Sequence, residues 1–194
     1  MKSITLTGQS LSHEQVVAVA YGASVALDES QLIGVARTAD FLAEQVKQQQ
    51  PLYGVSTGFG SNADKLLGAH HIRASHNNDG TLLEELQRNL IITHAVCVGE
   101  PFAADVVRAM MVIRINTLMR GHSGIRVQTL RALADMLNAG IVPVVPKLGS
   151  VGASGDLAPL SHLAIVLLGG GEAFYDGKRM PGEQALRSAG LAPI

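Results

Sequence analysis

Polar and apolar positions alternate only briefly in this chain; most of it repeats with a helical period. Ser3-Ile4-Thr5-Leu6-Thr7 alternates and predicts a short strand over Ile4 to Leu6, stopped by Gly8. Ser12 with Gln15 forms a capping-box pattern and predicts a short helix through Tyr21. Asp28 predicts the cap of a longer helix to about Lys47, with Leu32, Val35, Ala39, Leu42 and Val46 on one face and Pro51 beyond its end. Thr81 with Glu84 is a second capping-box pattern. It predicts a helix to about Val98 carrying Leu86, Leu90, Ile91 and His94, broken at Glu100-Pro101. The stretch from Ala104 to Arg120 is apolar almost all round, which predicts a central helix. Arg126 to Asn138 reads as another helix, with Gly140 as its stop. Ile141 to Val145 predicts a buried strand, interrupted by Pro143 and closed by Pro146. Leu157 to Leu168 predicts a helix with Pro159 in its first turn, ended by Gly169-Gly170-Gly171. Glu172 to Lys178 predicts a hairpin tipped by Asp176-Gly177, and Gly182 to Ala189 a last short helix. The sum is a mainly α fold with a few short strands.

Composition adds bounds. At 194 residues the chain is one domain, or one and a fraction, and its 47% apolar content suffices for a core. A formal net charge of -1 gives no electrostatic case for nucleic acid or an anionic membrane as partner. The single cysteine, Cys97, excludes an internal disulfide and suits a reducing cytoplasm. No apolar signal region opens the sequence, and the longest apolar stretch, near Leu163 to Leu168, is too short to span a bilayer.

Candidate chemistry concentrates in Gly149-Ser150-Val151-Gly152-Ala153-Ser154-Gly155-Asp156-Leu157-Ala158-Pro159-Leu160. Gly149, Gly152 and Gly155 let the backbone turn tightly. The spacing fits neither a dinucleotide loop nor a phosphate loop, and Asp156 stands where a nucleophile elbow requires glycine. The plain reading is a helix-entry loop with Asp156 as N-cap. The chemical reading is self-cyclisation. The Gly155 amide nitrogen attacks the Ala153 carbonyl carbon, water is lost as the five-membered ring closes, and Ser154 loses a second water. The product is 4-methylidene-imidazol-5-one (MIO), an electrophile made from protein alone, without metal or nucleotide.

The whole segment from Gly149 to Leu160 resembles the signature of the aromatic amino-acid ammonia-lyases. Far upstream, Tyr53-Gly54-Val55-Ser56-Thr57-Gly58-Phe59-Gly60 reads as a glycine-hinged loop. A tyrosine there is a general base or a core residue with a satisfied hydroxyl. The segment is similar to the tyrosine loop of the same family, where that tyrosine is the catalytic base. The resemblance covers essentially the whole chain. It implies that residues 1–194 are the N-terminal MIO domain of the fumarase/aspartase-like helical fold, without the C-terminal helical bundle. It also implies homotetramers whose active sites draw on several subunits. By the same resemblance, Tyr53 is the base, Ala153, Ser154 and Gly155 form MIO, and Thr93-His94 is the pair that selects the substrate ring.

Thr93-His94 offers a hydroxyl and an imidazole, which suit a polar ring better than an apolar slot would. Histidine and some tyrosine lyases show such a pair, whereas phenylalanine lyases place an aromatic residue and leucine there. Ser56 departs from the asparagine usual in histidine lyases, as does the long loop from Ser61 to Gly80. The expected reaction is elimination of ammonia from an aromatic L-amino acid. L-histidine giving urocanate comes first, ahead of L-tyrosine giving coumarate and L-phenylalanine giving cinnamate. An MIO-dependent aminomutase and an inactive truncated domain are the competing readings. His70, His71 and His76 lie in the long loop, but their spacing matches no zinc pattern, and no metal site is expected. Family members continue for several hundred residues, so the group that holds the substrate carboxylate is expected outside this chain, and the 194 residues alone are expected to be inactive.

Overall fold

The computed structural model describes residues 3–48, 50–57 and 79–194, and of residues 79–83 the backbone only. Strand β1 (Ile4–Leu6) pairs in parallel with β2 (Val25–Leu27), and helix α1 (His13–Ala20) makes the crossover between them. The predicted capping box starts α1: the Gln15 N–H donates to Ser12 Oγ at 3.3 Å and the Ser12 N–H to Gln15 Oε1 at 2.8 Å. Asp28 accepts the Ser30 N–H at 2.9 Å and caps α2 (Glu29–Lys47), whose Leu32 and Val35 are buried as predicted.

Helix α3 (Asp79–His94) corrects the prediction at both ends. It begins before Thr81, so the Thr81/Glu84 pattern lies within the helix and does not start it. It ends at His94, and Val98 belongs to strand β3 (Val98–Pro101), antiparallel to β5 (Pro146–Leu148). Gly99, at φ +87°, sits where a Cβ would press on the Leu148 side chain at 3.3 Å. That left-handed backbone and Pro101 are both incompatible with a continued helix. Strand β5 had no counterpart among the predicted elements.

Helix α4 (Ala104–Leu118) is central along one side only. Val107, Met111, Val112 and Ile115 are buried, while Val106 and Ile113 face outward at 41% and 51% exposure. Two polar side chains tie it to the N-terminal layer. Buried Asn116 accepts the Gly8 N–H at 3.0 Å and donates to the Gln9 carbonyl at 2.5 Å. The Arg108 guanidinium donates to the carbonyls of Val19, Leu137 and Ala23, at 2.9, 3.0 and 3.4 Å. Burial lowers its pKa, and the three carbonyl dipoles offset part of the cost of desolvation.

Helix α5 (Val127–Asn138) packs on α4 and contributes Leu130, Leu133, Met136 and Leu137 to the core. Gly140, at φ +77°, ends it as predicted: the Gly140 N–H bonds to Leu137 O and the Ile141 N–H to Met136 O. The predicted strand after it is shorter in its ladder, because only β4 (Val142–Pro143) pairs with β6 (Glu172–Tyr175). Residues Ile141 to Val145 are nonetheless all buried. Helix α6 (Leu157–Leu167) leads into the hairpin of β6 and β7 (Lys178–Pro181), and α7 (Gly182–Ser188) follows. Asp176 and Gly177 both have positive φ, 49° and 71°, as a two-residue hairpin turn requires. Each large side chain fully buried in this core, such as Leu6, Ile115 or Leu137, contributes about 1.5–3 kcal/mol.

Candidate active site

The turn between β5 and α6 holds Ala153, Ser154 and Gly155. Its three glycines all have left-handed backbones, at φ +119° for Gly149, +122° for Gly152 and +69° for Gly155. The Ser150 hydroxyl donates to the Gly155 carbonyl and closes the turn on itself. Ala153 and Ser154 are exposed at its rim, and Val151 stands 94% exposed. The Ser154 hydroxyl lies 3.5 Å from the Asp156 N–H, a long contact that leaves it only loosely held. A Cβ at Gly155 would meet nothing nearer than Ser150 Oγ at 3.9 Å, so conformation rather than crowding favours glycine there. A tight, self-closed turn with a small residue on each side of an exposed serine fits ring closure to MIO.

Asp156 occupies the N-cap position of α6 but makes no side-chain cap. Its carboxylate turns instead to Arg114 of α4, at 3.3 Å. The plain reading of Asp156 as a capping side chain therefore does not hold. The first amides of α6 get no cap from it and present the positive end of the helix to the turn.

Helix α3 connects the other predicted residues to this turn, because it packs directly on α6. Tyr53, 66% exposed, sits in a turn where the N–H groups of Val55, Ser56 and Thr57 all converge on the Leu52 carbonyl at 3.0, 3.0 and 3.2 Å. Buried Ser56 staples it, accepting the Leu52 N–H at 2.8 Å and donating to the Gln50 carbonyl at 2.6 Å. Gln87 of α3 reaches the Gly54 carbonyl at 3.4 Å. Gly58, Phe59 and Gly60 of the predicted loop, and His70, His71 and His76, lie outside the described residues.

Thr93 and His94 form the last turn of α3. The Thr93 hydroxyl donates to the Leu90 carbonyl at 3.0 Å, and His94 Nδ1 lies 2.8 Å from the same oxygen. A carbonyl only accepts, so Nδ1 carries the proton and, in the neutral ring, Nε2 carries the lone pair. Beyond His94 the chain passes Cys97, which is buried and whose thiol pKa burial pushes up. The Cys97 N–H donates to His162 Nε2 of α6 at 3.1 Å.

Ser56, Gln87, Arg114 and His162 had not been singled out as supports of the site. Two of them left a trace in the sequence: Ser56 as a departure from the asparagine usual in histidine lyases, and His162 as a lone imidazole in the apolar run of α6. Among the described residues no group of three or more His, Cys, Asp or Glu is placed to hold a metal, and no helix is long and apolar enough to cross a membrane.

Seven helices joined by short ribbons, among the described residues, make the helical fold of the ammonia-lyases. The chain belongs to the aromatic amino acid lyase family, whose model matches residues 11–194. It is 46% identical over 195 residues to a histidine ammonia-lyase of Symbiobacterium thermophilum, covering 100% of this chain and 36% of that protein. The crystal structure of ergothionase, an ergothioneine-degrading enzyme from Treponema denticola, matches with a TM-score of 0.90 at 30% identity, over 100% of this chain and 37% of the other. A histidine ammonia-lyase from Trypanosoma cruzi matches with a TM-score of 0.84 at 34% identity, over 100% of this chain and 35% of the other. The chain thus spans little more than a third of the length of the relatives it matches.

Proposed function

We propose that residues 1–194 are the N-terminal, cofactor-forming domain of an ammonia-lyase that eliminates ammonia from L-histidine to give urocanate. The observation that carries this reading is the self-closed Ala153–Ser154–Gly155 turn, hinged on three left-handed glycines at the mouth of α6. The choice of histidine draws on the 46% identity to a histidine lyase and on the Thr93–His94 pair.

MIO built from Ala153, Ser154 and Gly155 would supply an electrophile able to activate the substrate amine as a leaving group. The rest falls to the chain's own residues. Tyr53, on its stapled and exposed turn, is the base that removes the substrate's β-proton. Thr93 and His94 face the ring and offer it a hydroxyl and an imidazole, while His94 Nδ1 stays fixed on the Leu90 carbonyl. The α6 amides stabilise negative charge that develops on the turn. The enzyme assembles as a homotetramer, consistent with the exposed apolar side chains around the turn: Val98, Leu148, Val151 and Leu157. A single buried thiol suits the reducing cytoplasm as its compartment.

Intact mass tests the first step. The purified chain should be lighter than its sequence by two waters, and Ser154→Ala should abolish the deficit. An unmodified mass for the wild-type chain would overturn the assignment. The second step is tested with the chain completed by the downstream portion of the Symbiobacterium relative and assayed on histidine, tyrosine and phenylalanine. Urocanate should form fastest. Faster cinnamate, or a β-amino acid product, would replace this reading with a phenylalanine lyase or an aminomutase.

A further inference from the structure

The segment from Ala95 to Cys97 joins the Thr93–His94 pair to β3, and it is gripped from two sides. On one side lies Gly149, the first glycine of the turn, where a Cβ would stand 3.1 Å from Cys97 Cα. Backbone meets backbone there, and the φ of +119° also excludes most other residues. On the other side His162 Nε2 accepts the Cys97 N–H at 3.1 Å. Val98, the next residue, pairs with Leu148 just before the turn. The grip therefore touches the chain on both flanks of Ala153–Ser154–Gly155: β5 and Gly149 before it, α6 after it.

We infer that His162 is a positioning residue that locks the Thr93–His94 end of α3 in register with the MIO-forming turn. The inference rests on the proposed roles of those two sites. Its chemistry requires a neutral ring with the proton on Nδ1, because only an unprotonated Nε2 can accept an amide. Burial lowers the imidazole pKa and favours that neutral form. A helix-borne side chain from α6 thereby supplies the acceptor that the irregular linker lacks within its own backbone at Cys97.

The test compares His162→Phe, which keeps a ring but removes the acceptor, with His162→Gln, whose side-chain carbonyl can reach a similar point and accept. Two readouts are followed in the 194-residue chain: the rate at which the single thiol, Cys97, reacts with a thiol reagent, and the rate of loss of two waters. His162→Phe should speed thiol reaction and slow maturation, each about tenfold, the equivalent of one hydrogen bond. His162→Gln should recover most of both. A phenylalanine variant indistinguishable from wild type, or a glutamine variant no better than phenylalanine, would overturn the positioning role and leave simple packing. Should both variants fail to fold, nitrogen NMR of the wild-type chain decides, because a proton on His162 Nε2 overturns the inference and a bare Nε2 with a protected Cys97 amide supports it. Should the wild-type chain lose no water, the MIO assignment fails while the thiol and NMR readouts still judge the His162–Cys97 clamp.

Discussion

The Arg114 guanidinium of α4 lies 3.3 Å from the carboxylate of Asp156, so the residue that follows the Ala153–Ser154–Gly155 triad is held by a helix outside the turn. The two side chains are 34% and 50% exposed, and solvent screening limits such a pair to less than about 1 kcal/mol of stability. Its importance lies in where it holds Asp156, which would otherwise be free to cap α6 and alter the approach of Gly155 to Ala153. Arg114→Met should therefore leave the unfolding free energy within roughly 1 kcal/mol of wild type. The same variant should slow the loss of two waters, followed by intact mass over time. Unchanged maturation would reduce the pair to an ordinary surface contact.

Tyr53 gives a sharper outcome. In the completed enzyme, Tyr53→Phe should lower kcat by about 10²–10⁴-fold, the usual worth of a general base. The two-water deficit should persist, because the Tyr53 turn is built by Ser56 and Leu52 and needs no phenolic hydroxyl for those bonds. A loss under about tenfold would place the base elsewhere.

How much of this was legible in the sequence follows from where each bond closes. The Ser12–Gln15 box, the Asp28 cap, the Gly140 stop and the Asp176-Gly177 tip are local, and spacing alone located them. The Ala153–Ser154–Gly155 assignment came instead from the resemblance of the contiguous segment Gly149 to Leu160 to the family signature. The β1–β2 and β3–β5 pairings, Asn116 on Gly8 and Arg108 on three carbonyls all close over long separations, which no periodicity encodes. Val98 went astray because apolar residues after α3 continue a helical rhythm, while Gly99 and its partner Leu148 decide for a strand. Ser56 was legible only as a departure from asparagine, although in the fold it staples the Tyr53 turn.

Acid should destabilise the chain in a window set by His162. Burial holds its imidazole below the ordinary value of 6.5. As pH falls through that value the unfolded chain takes up a proton that the folded chain refuses. Stability present above about pH 6.5 is thus lost toward the lower folded pKa, and the loss stops once both states are protonated. The carboxyls of Asp28, Glu29 and Glu172 are held below their ordinary values by hydrogen bonds from Ser30, Arg131 and Arg179 respectively. They act in the same direction, but only as pH falls through 3.8 for Asp28 and 4.5 for the two glutamates. Urea unfolding at about pH 7.5 and about pH 5 should show a stability drop in wild type that His162→Gln lacks. Equal drops in both chains would assign the slope to another group.

The 194 residues by themselves should form MIO yet turn over no aromatic amino acid. Elimination needs the electrophile, the base and a cation that holds the substrate carboxylate, all in near-attack geometry. Among the described residues five guanidinium groups are already engaged. Arg108 serves three carbonyls, Arg114 holds Asp156, Arg131 binds Glu29 through two bonds at 2.9 and 2.6 Å, and Arg179 binds Glu172 through two at 3.1 and 2.5 Å. Arg187 pairs with Glu183 on α7. Losing orientation of the substrate costs several kcal/mol of barrier, on the order of a thousandfold in rate or more. The purified chain is to be assayed for urocanate, coumarate and cinnamate by absorbance, alone and after mixing with the separately expressed downstream portion of the Symbiobacterium relative. Activity that appears only on mixing supports a carboxylate-binding group outside these residues. Robust turnover by the chain alone would refute the prediction and point to one of its own cations, with Arg114 the first to substitute because it stands beside the turn.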